Sequence, residues 1–180
     1  YGKTGLKQTG GVLDGNGKTL SVTGANGTWD SALNTQGGTI KNLTIDSGFR
    51  GIFIGGKTNE DVIVDNVIID GPTYTINCDQ ANGHKLIVSN STINGWTSYA
   101  GGTKGLSEAF FTNCKFGKGA GYKFMRPYAK TSFTNCEFVE GFQLDSTRAE
   151  ITVKNCKVGG TLVTQENVES LLGANVNVVN

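Results

Sequence analysis

The segment I-K-N-L-T-I, from Ile40 to Ile45, decides the fold because its pattern returns five more times along the chain. The pattern is an apolar residue, any residue, Asn, a small or apolar residue, any residue and a second apolar residue. Its central asparagines are Asn42, Asn66, Asn90, Asn113, Asn135 and Asn155, at intervals of 24, 24, 23, 22 and 20 residues. A nearly constant period of this length is typical of a solenoid in which each repeat forms one coil.

The hydrophobic alternation changes phase at each asparagine. Ile40 lies two residues before Asn42, whereas Leu43 and Ile45 lie one and three residues after it. Residues on one face of an uninterrupted strand are separated by even numbers. The slip therefore predicts a corner, at which Asn adopts the left-handed backbone that other residues with side chains avoid.

A further alternating run follows each corner after about eight residues, for example Tyr74 and Ile76 in the second repeat. Each coil should therefore contain about three short strands, and stacking places equivalent residues of successive coils ~4.8 Å apart. The predicted inward columns are Leu43, Val67, Ser91, Cys114, Cys136 and Cys156; Ile45, Ile69, Ile93, Phe116, Phe138 and Val158; and Ile40, Val64, Val88, Phe111, Phe133 and Val153. Parallel stacking sets the three cysteines side by side, so we expect buried free thiols.

These features resemble the right-handed parallel β-helix of the pectate-lyase-like superfamily, which includes pectate lyases, polygalacturonases, phage tailspikes and many bacterial surface proteins. The Asn column resembles the asparagine ladder of that superfamily, and G-V-L-D-G-N-G-K-T-L, from Gly11 to Leu20, resembles its first coil. The resemblance implies an all-β fold, a single-stranded right-handed solenoid of about seven to eight coils over residues 1–164. Residues 165–180 leave the repeat and are predicted to form a C-terminal cap or extension.

The resemblance also implies a saccharide groove on the face formed by the strand after the corner. Candidate catalytic residues on that face are Asp79, Lys123, Arg126, Asp145 and Arg148. Asp79 and Asp145 are three coils apart, or about 14 Å, whereas paired glycosidase carboxylates lie about 5 to 9.5 Å apart. A lyase needs only a base and a positive charge that neutralises a uronate, which Arg126 could supply. The alternative interpretation of Arg126 and Asp145 is a surface ion pair.

Aromatic and polar side chains near these residues or in a predicted loop are candidates for carbohydrate binding. Trp96 and Tyr99 fall in residues 95–108, which break the strand pattern and are predicted to project as a loop. Tyr128 follows Arg126 closely, and Gln143 is expected to point outward. Exposed rings beside polar groups suit stacking against sugar faces. The alternative for Trp96 is that it folds back over the edge of its coil.

One column of polar residues could hold a metal ion. Asp46, Asp70 and Asn94 each lie four residues after a ladder asparagine, so adjacent coils bring their oxygens close enough for calcium. Each of them also stands at a strand exit shortly before a glycine, where Asp and Asn are favoured for turn formation. Calcium is the one cofactor that the sequence leaves open.

Charge and hydropathy restrict the classes of partner. Lys and Arg number 16 and Asp and Glu 15, a formal net charge of +1 that provides no electrostatic footprint for nucleic acid. No stretch approaches the ~18 apolar residues of a membrane span.

The sequence therefore predicts a non-catalytic extracellular, cell-surface or virion-associated module. Its role would be adhesin-like, receptor- or carbohydrate-binding, or that of a structural stalk, with a polysaccharide or cell-surface glycan as partner. A virion-associated module would be expected to form a homotrimer. The alternative is a polysaccharide lyase that acts on uronic-acid polymers.

Overall fold

Each sequence repeat forms one coil of a right-handed β-solenoid of about seven turns. The computed structural model describes residues 4–22, 30–70 and 73–179. Nearly all of the regular secondary structure in these ranges is strand. In chain order the elements are β1 (Thr4–Gln8), β2 (Val12–Val22), β3 (Ser31–Thr35), β4 (Gly38–Ser47), β5 (Arg50–Ile54), β6 (Val62–Asp70), β7 (Tyr74–Cys78), β8 (Leu86–Ser89), β9 (Thr92–Asn94), β10 (Trp96–Tyr99), β11 (Glu108–Thr112), β12 (Lys115–Gly117), β13 (Phe124–Pro127), β14 (Lys130–Thr134), β15 (Glu137–Phe138), β16 (Gln143–Leu144), β17 (Ile151–Lys154), β18 (Lys157–Val158), β19 (Thr161–Leu162), α1 (Val168–Leu172) and β20 (Asn177–Val178). The predicted all-β parallel solenoid is confirmed.

Two sheets enclose the core. Within the described ranges, sheet A consists of the parallel strands β1, β3, β5, β7, β10, β13 and β16. Sheet B bends at the asparagine corner into a first limb before the corner and a second limb after it. β4 and β6 run through both limbs, whereas in later coils the limbs are separate strands such as β8 and β9.

The predicted asparagine corners are confirmed. Each of the six asparagines has a φ angle between 50° and 54°, and Asn16, with a φ of 49°, forms a further corner of the same kind. The amide nitrogen of Asn66 donates to the side-chain oxygen of Asn42 at 2.9 Å, and the same bond joins Asn135 to Asn113 and Asn155 to Asn135. These bonds form a ladder along the corner, because an amide side chain can both donate to one neighbour and accept from the next.

The ladder is interrupted between Asn66 and Asn90, and in the described part of the chain aspartates replace asparagine as acceptors at two places. The amide nitrogen of Asn90 donates to Asp65 at 2.8 Å, and that of Asn42 donates to Asp14 at 3.1 Å. Two hydrogen bonds lower the pKa of Asp65, first from the hydroxyl of Ser89 and then from Asn90. The carboxylate is therefore held in its charged form as a ladder acceptor.

The predicted core columns are also confirmed. Leu43, the most exposed residue of the three columns, is only 7% exposed. Phe111 stacks on Phe133 with ring centroids 5.3 Å apart, and Phe116 stacks on Phe138 at 4.9 Å. Ring-on-ring stacking follows from the parallel register, which sets identical side chains above one another.

The four cysteines are buried free thiols. In the cysteine column the backbone N–H of Cys136 donates to Sγ of Cys156 at 3.3 Å, and each thiol contacts a carbonyl of its own corner. Burial raises the pKa of the fourth thiol, Cys78, to about 12. All four therefore act as small apolar residues of the core.

The C-terminal segment turns back over the last coil. β19 pairs antiparallel with β18, and β20 then pairs parallel with β17. Between them the short helix α1 buries Val168 and Leu172, and it is followed by Gly173, whose φ angle is 69°. At the opposite end, Leu6 is 38% exposed and Val12 67% exposed. No helix in the described ranges is long and apolar enough to cross a membrane.

The prediction of a projecting loop at residues 95–108 is wrong for its first part. Trp96–Tyr99 form β10 of sheet A, and Tyr99 is fully buried. The inward residues of this strand are Thr97 and Tyr99, whose hydroxyls share hydrogen bonds of 2.7 Å with Thr75 and Thr131. Sequence alternation missed the strand because polar side chains that find buried partners can occupy inward positions.

Candidate functional site

The outer face of sheet A carries two rows of side chains. Parallel register aligns these residues from one coil to the next, and each such level of the stack is called a rung. The first row is Ser31, Arg50, Tyr74, Trp96, Phe124 and Gln143, and the second is Asn34, Phe53, Asn77, Ser98 and Arg126, with Asp145 directly after β16.

A bulge explains why Tyr74 faces outward. β7 contains one residue more than β10 between matched positions, and the register shifts between Trp96 and Ser98. Thr75 and Ile76 are therefore both buried, which leaves Tyr74 on the outer face. The prediction from the sequence pattern that Tyr74 and Ile76 lie on the same face is therefore wrong.

The rings of the first row and its neighbours form an aromatic ladder along the solenoid. The ring centroids of Tyr74 and Trp96 are 4.6 Å apart, and Trp96 lies 5.3 Å from Tyr122 and 5.5 Å from Phe124. Phe49 continues the ladder at 5.5 Å from Tyr74. Neighbouring rings thus cover much of Trp96, and its indole nitrogen is buried without a hydrogen-bond partner. Tyr122, at 41%, is the exposed ring of the ladder.

Arg50 is a buried member of this face that the sequence did not reveal. Its side chain is 6% exposed, and its Nε donates to the side-chain oxygen of Asn77 at 2.7 Å. The guanidinium carbon lies 5.0 Å from the ring of Phe49 and 5.5 Å from that of Tyr74. Burial lowers the pKa of Arg50, and the negative charge of Asp79 opposes that shift. Arg50 therefore joins the strands of this region as a structural cation.

Arg126 and Arg148 converge on one tyrosine. The guanidinium carbon of Arg148 lies 4.6 Å from the ring of Tyr128, and that of Arg126 lies 5.7 Å from it. Arg126 also lies 5.2 Å from the ring of Trp96 and donates from Nε to Oγ of Ser98 at 3.2 Å. In the described ranges, neither guanidinium makes a salt bridge within 4.0 Å. Two positive charges are therefore presented together beside aromatic rings.

Asp145 lies next to this pair without forming an ion pair with Arg126. Its Oδ1 accepts hydrogen bonds from the hydroxyl and the backbone N–H of Thr147, at 2.6 and 3.1 Å. These bonds are the main cause of its lowered pKa, with smaller contributions from Tyr128 and Arg126. A carboxylate that is stabilised in its charged form is a weak proton acceptor, which counts against a role as catalytic base.

The structure separates the other predicted site residues. Asp79 is exposed and lies after β7, three rungs from Asp145, so these two carboxylates belong to different parts of the face. The amine of Lys123 donates to the carbonyl of Glu140 at 2.9 Å. Gln143 is exposed beside Phe124. Tyr99 lies outside the site because its ring is in the core, which corrects its predicted role in carbohydrate binding.

The predicted calcium column lies on the outer face of the second limb. Asp46 and Asp70 are adjacent in register, and the amide nitrogen of Asn94 donates to Oδ1 of Asp70 at 3.4 Å. Residues 4–22, 30–70 and 73–179 contain no group of three or more His, Cys, Asp or Glu that could hold a metal ion. Calcium binding by this column stays a prediction.

Comparison with known proteins identifies the scaffold. The family described as "Right handed beta helix region" matches residues 32–170, from β3 to α1. No curated protein and no solved structure matches the chain.

Proposed function

We propose that this chain, which belongs to the right-handed β-helix family, binds an acidic polysaccharide on the outer face of sheet A without cleaving it. The fold supports many functions, so the proposal depends on the site alone. The observation that carries it is the contact of two guanidinium groups, Arg126 and Arg148, with the ring of Tyr128. Guanidinium groups are suited to oxyanions because their planar N–H donors match the two oxygens of a carboxylate.

Arg126 is held ready for a ligand. Its Nε is occupied by Ser98, and its planar group rests near the rings of Trp96 and Tyr128. The terminal nitrogens have no partner in the described part of the chain and remain as donors. Because the side chain is already ordered, a ligand loses less conformational entropy on binding to it.

The neighbouring rings supply the apolar part of the interaction. Tyr122 is exposed and Tyr128 is half-buried, and both belong to the same stretch of the outer face as Arg126. A sugar ring has an apolar C–H face that can contact an aromatic ring, while its carboxylate or sulfate extends to a guanidinium. An acidic polymer therefore fits this combination better than a neutral one.

The same contacts favour binding over elimination. Asp145 is stabilised as a carboxylate, and the amine of Lys123 donates to a backbone carbonyl. Arginine keeps its proton in proteins, so Arg126 serves more readily as a charge partner than as a base. A binding module of this kind suits an extracellular, cell-surface or virion-associated protein with an adhesin-like role.

Calorimetric titration with acidic and neutral polysaccharides tests the proposal. Polygalacturonate, alginate and a sulfated glycosaminoglycan are the acidic probes, and dextran is the neutral one. Arg126→Ala and Arg148→Ala should each weaken binding of an acidic probe about tenfold, the loss expected from one charged hydrogen-bond partner. Lys115→Ala, which removes a positive charge from the outer face of the second limb, is the matched control.

Two outcomes would overturn the proposal. The first is the absence of binding to every acidic probe, or binding that neither arginine variant weakens. The second is the appearance of unsaturated product from the uronic-acid probes, with calcium or with chelator. That result would replace the binding module by a polysaccharide lyase.

A further inference from the structure

The outer face of the first limb of sheet B carries an apolar row that stays partly exposed in the described part of the chain, with Nζ of Lys85 lying 5.7 Å from the ring centroid of Phe110. In register order this central row is Val12, Thr39, Ile63, Ile87, Phe110, Ser132 and Thr152. Ile63, Ile87 and Phe110 occupy successive rungs and remain partly exposed. Three large apolar side chains in line make a flat surface that is suited to contact with another sheet.

A charged row runs beside the central row, at the start of each strand. It consists of Asp61, Lys85, Glu108, Lys130 and Glu150, whose signs alternate from one rung to the next. Within the chain, Lys85 lies 3.0 Å from Glu108 and Lys130 lies 3.7 Å from Glu150. Strict alternation has a consequence for self-association, because a reversed copy of the row, moved by one rung spacing, sets opposite charges against the original.

We propose that this face binds a second copy of the chain, with a two-fold axis parallel to the strands. The axis lies between the rung of Ile87 and the rung of Phe110. Rotation about it packs the two first limbs face to face with opposite solenoid directions. Ile87 then lies opposite the partner's Phe110, and the contact occurs twice, as a two-fold interface requires.

The same rotation pairs opposite charges. Lys85 lies opposite the partner's Glu108, and Asp61 lies opposite the partner's Lys130. At the other margin of the face Lys41 lies opposite the partner's Lys154, but Asp14 already balances Lys41 at 3.3 Å. The charges therefore favour this encounter and determine its register.

Other arrangements of the same two faces are less favourable. An axis that passes through the rung of Glu108 sets Lys85 opposite the partner's Lys130, a like-charge contact. An axis along the solenoid sets Asp61 opposite the partner's Asp65, again with like charges. An axis between the rungs of Glu108 and Lys130 keeps opposite charges together, but it sets Ile87 opposite the partner's Thr152. An axis between the rungs of Asp61 and Lys85 sets Ile63 opposite the partner's Ile87, but it leaves Glu108 opposite the partner's Gly37, without a charge. The first arrangement therefore combines an apolar contact at the axis with two kinds of opposite-charge pair.

The size of the face predicts weak association. The face is four strand residues long and about seven rungs wide, which gives a flat area on the order of 400 Å² for each copy. A stable interface usually buries about 800 Å² for each partner, so the dimer should form only at high concentration. Measurements must therefore extend from micromolar to millimolar protein.

Sedimentation equilibrium tests the proposal with a pair of matched variants. Phe110→Lys should shift the dimer dissociation constant upward by about tenfold or more, because a charge is introduced at the centre of the apolar row. Ile68→Lys is the matched control, since Ile68 is 46% exposed on the outer face of the second limb. Lys130→Glu, which leaves the apolar row intact, should also weaken the dimer. Circular dichroism establishes that each variant is folded.

The shape of the dimer supplies an independent test. Small-angle scattering should show a particle about as long as the monomer and roughly twice as wide. The proposal is overturned by a parent protein that stays monomeric at millimolar concentration, or by a trimer. It is also overturned by a dimer twice as long as the monomer, or by one that Phe110→Lys leaves unchanged.

Discussion

Arg126 donates a hydrogen bond of 3.2 Å from Nε to Oγ of Ser98, which occupies the matching position on the preceding rung of sheet A. This bond fixes the plane of the guanidinium group near the rings of Trp96 and Tyr128. A short polar side chain on one rung thus orients a long charged one on the next. The parallel stack makes this possible because it places the two residues about 4.8 Å apart along the solenoid.

Ser98→Ala should weaken binding of an acidic polysaccharide several-fold, because Arg126 loses the contact that orders it. Titration calorimetry measures the change, and Ser132→Ala on the first limb of sheet B is the matched control. The free energy of unfolding should fall by only about 1 kcal/mol, the usual contribution of one hydrogen bond. Equal affinities of parent and variant would show that Ser98 does not position Arg126.

The interruption of the asparagine ladder predicts unequal effects at two corners. The side chain of Asn113 makes two ladder hydrogen bonds, because it donates to Asn90 and accepts from Asn135. The side chain of Asn66 makes one, to Asn42, because Asn90 donates to Asp65 instead. Replacement of either asparagine by Ala places a methyl side chain in the left-handed backbone region, which should lower the free energy of unfolding by about 1 to 2 kcal/mol. Asn113→Ala should cost about 1 kcal/mol more than Asn66→Ala because it removes one more hydrogen bond.

Chemical denaturation of these two variants measures the difference. Asn113→Gly is the control for backbone conformation, since glycine adopts a φ angle of 54° without steric cost. This variant should recover part of the stability that Asn113→Ala loses. Equal losses for Asn66→Ala and Asn113→Ala would contradict the broken ladder.

Asp65 predicts a loss of stability in acid. Its hydrogen bonds with Ser89 and Asn90 lower its folded-state pKa below the ordinary value of 3.8. Its contribution is therefore fully present above that value and is lost as pH falls through the lower, folded-state pKa. Asp65→Asn should lower stability at neutral pH and flatten the decline in acid, measured as the denaturation midpoint against pH. A decline of the same steepness in both proteins would contradict this role.

Tyr99→Phe separates stability from ligand binding. The Tyr99 hydroxyl shares a buried hydrogen bond with Thr131, so its removal should cost about 1 kcal/mol of unfolding free energy. Affinity for an acidic polysaccharide should stay unchanged because the ring lies in the core. Tyr128→Phe is the comparison on the outer face, and thermal denaturation with calorimetry measures both effects. A clear loss of affinity in Tyr99→Phe would place Tyr99 back in the site.

Some residues of the candidate site could be predicted from the sequence, and others could not. Arg126, Asp145 and Arg148 were expected on one face, and the structure brings them together around Tyr128, a separate candidate for carbohydrate binding. Arg50 escaped detection because β5 is in register with β7, whose bulge relative to β10 reverses the face that simple alternation assigns to the first residue of the strand. Whether a charged group is covered depends on rings from two neighbouring coils, as for Arg50 between Phe49 and Tyr74, and that is not visible in any one repeat.

The sequence by itself determined the coil, its period, its left-handed asparagine corners and its three core columns. These features are local or periodic, since a corner needs only one residue that tolerates positive φ and a column needs only the same apolar position in each repeat. The tertiary structure alone decided which acceptor each asparagine uses, which strands bulge and which arginines are covered. Those outcomes depend on contacts between rungs about 20 or more residues apart in the chain, where bulges and neighbouring side chains compete for the same space.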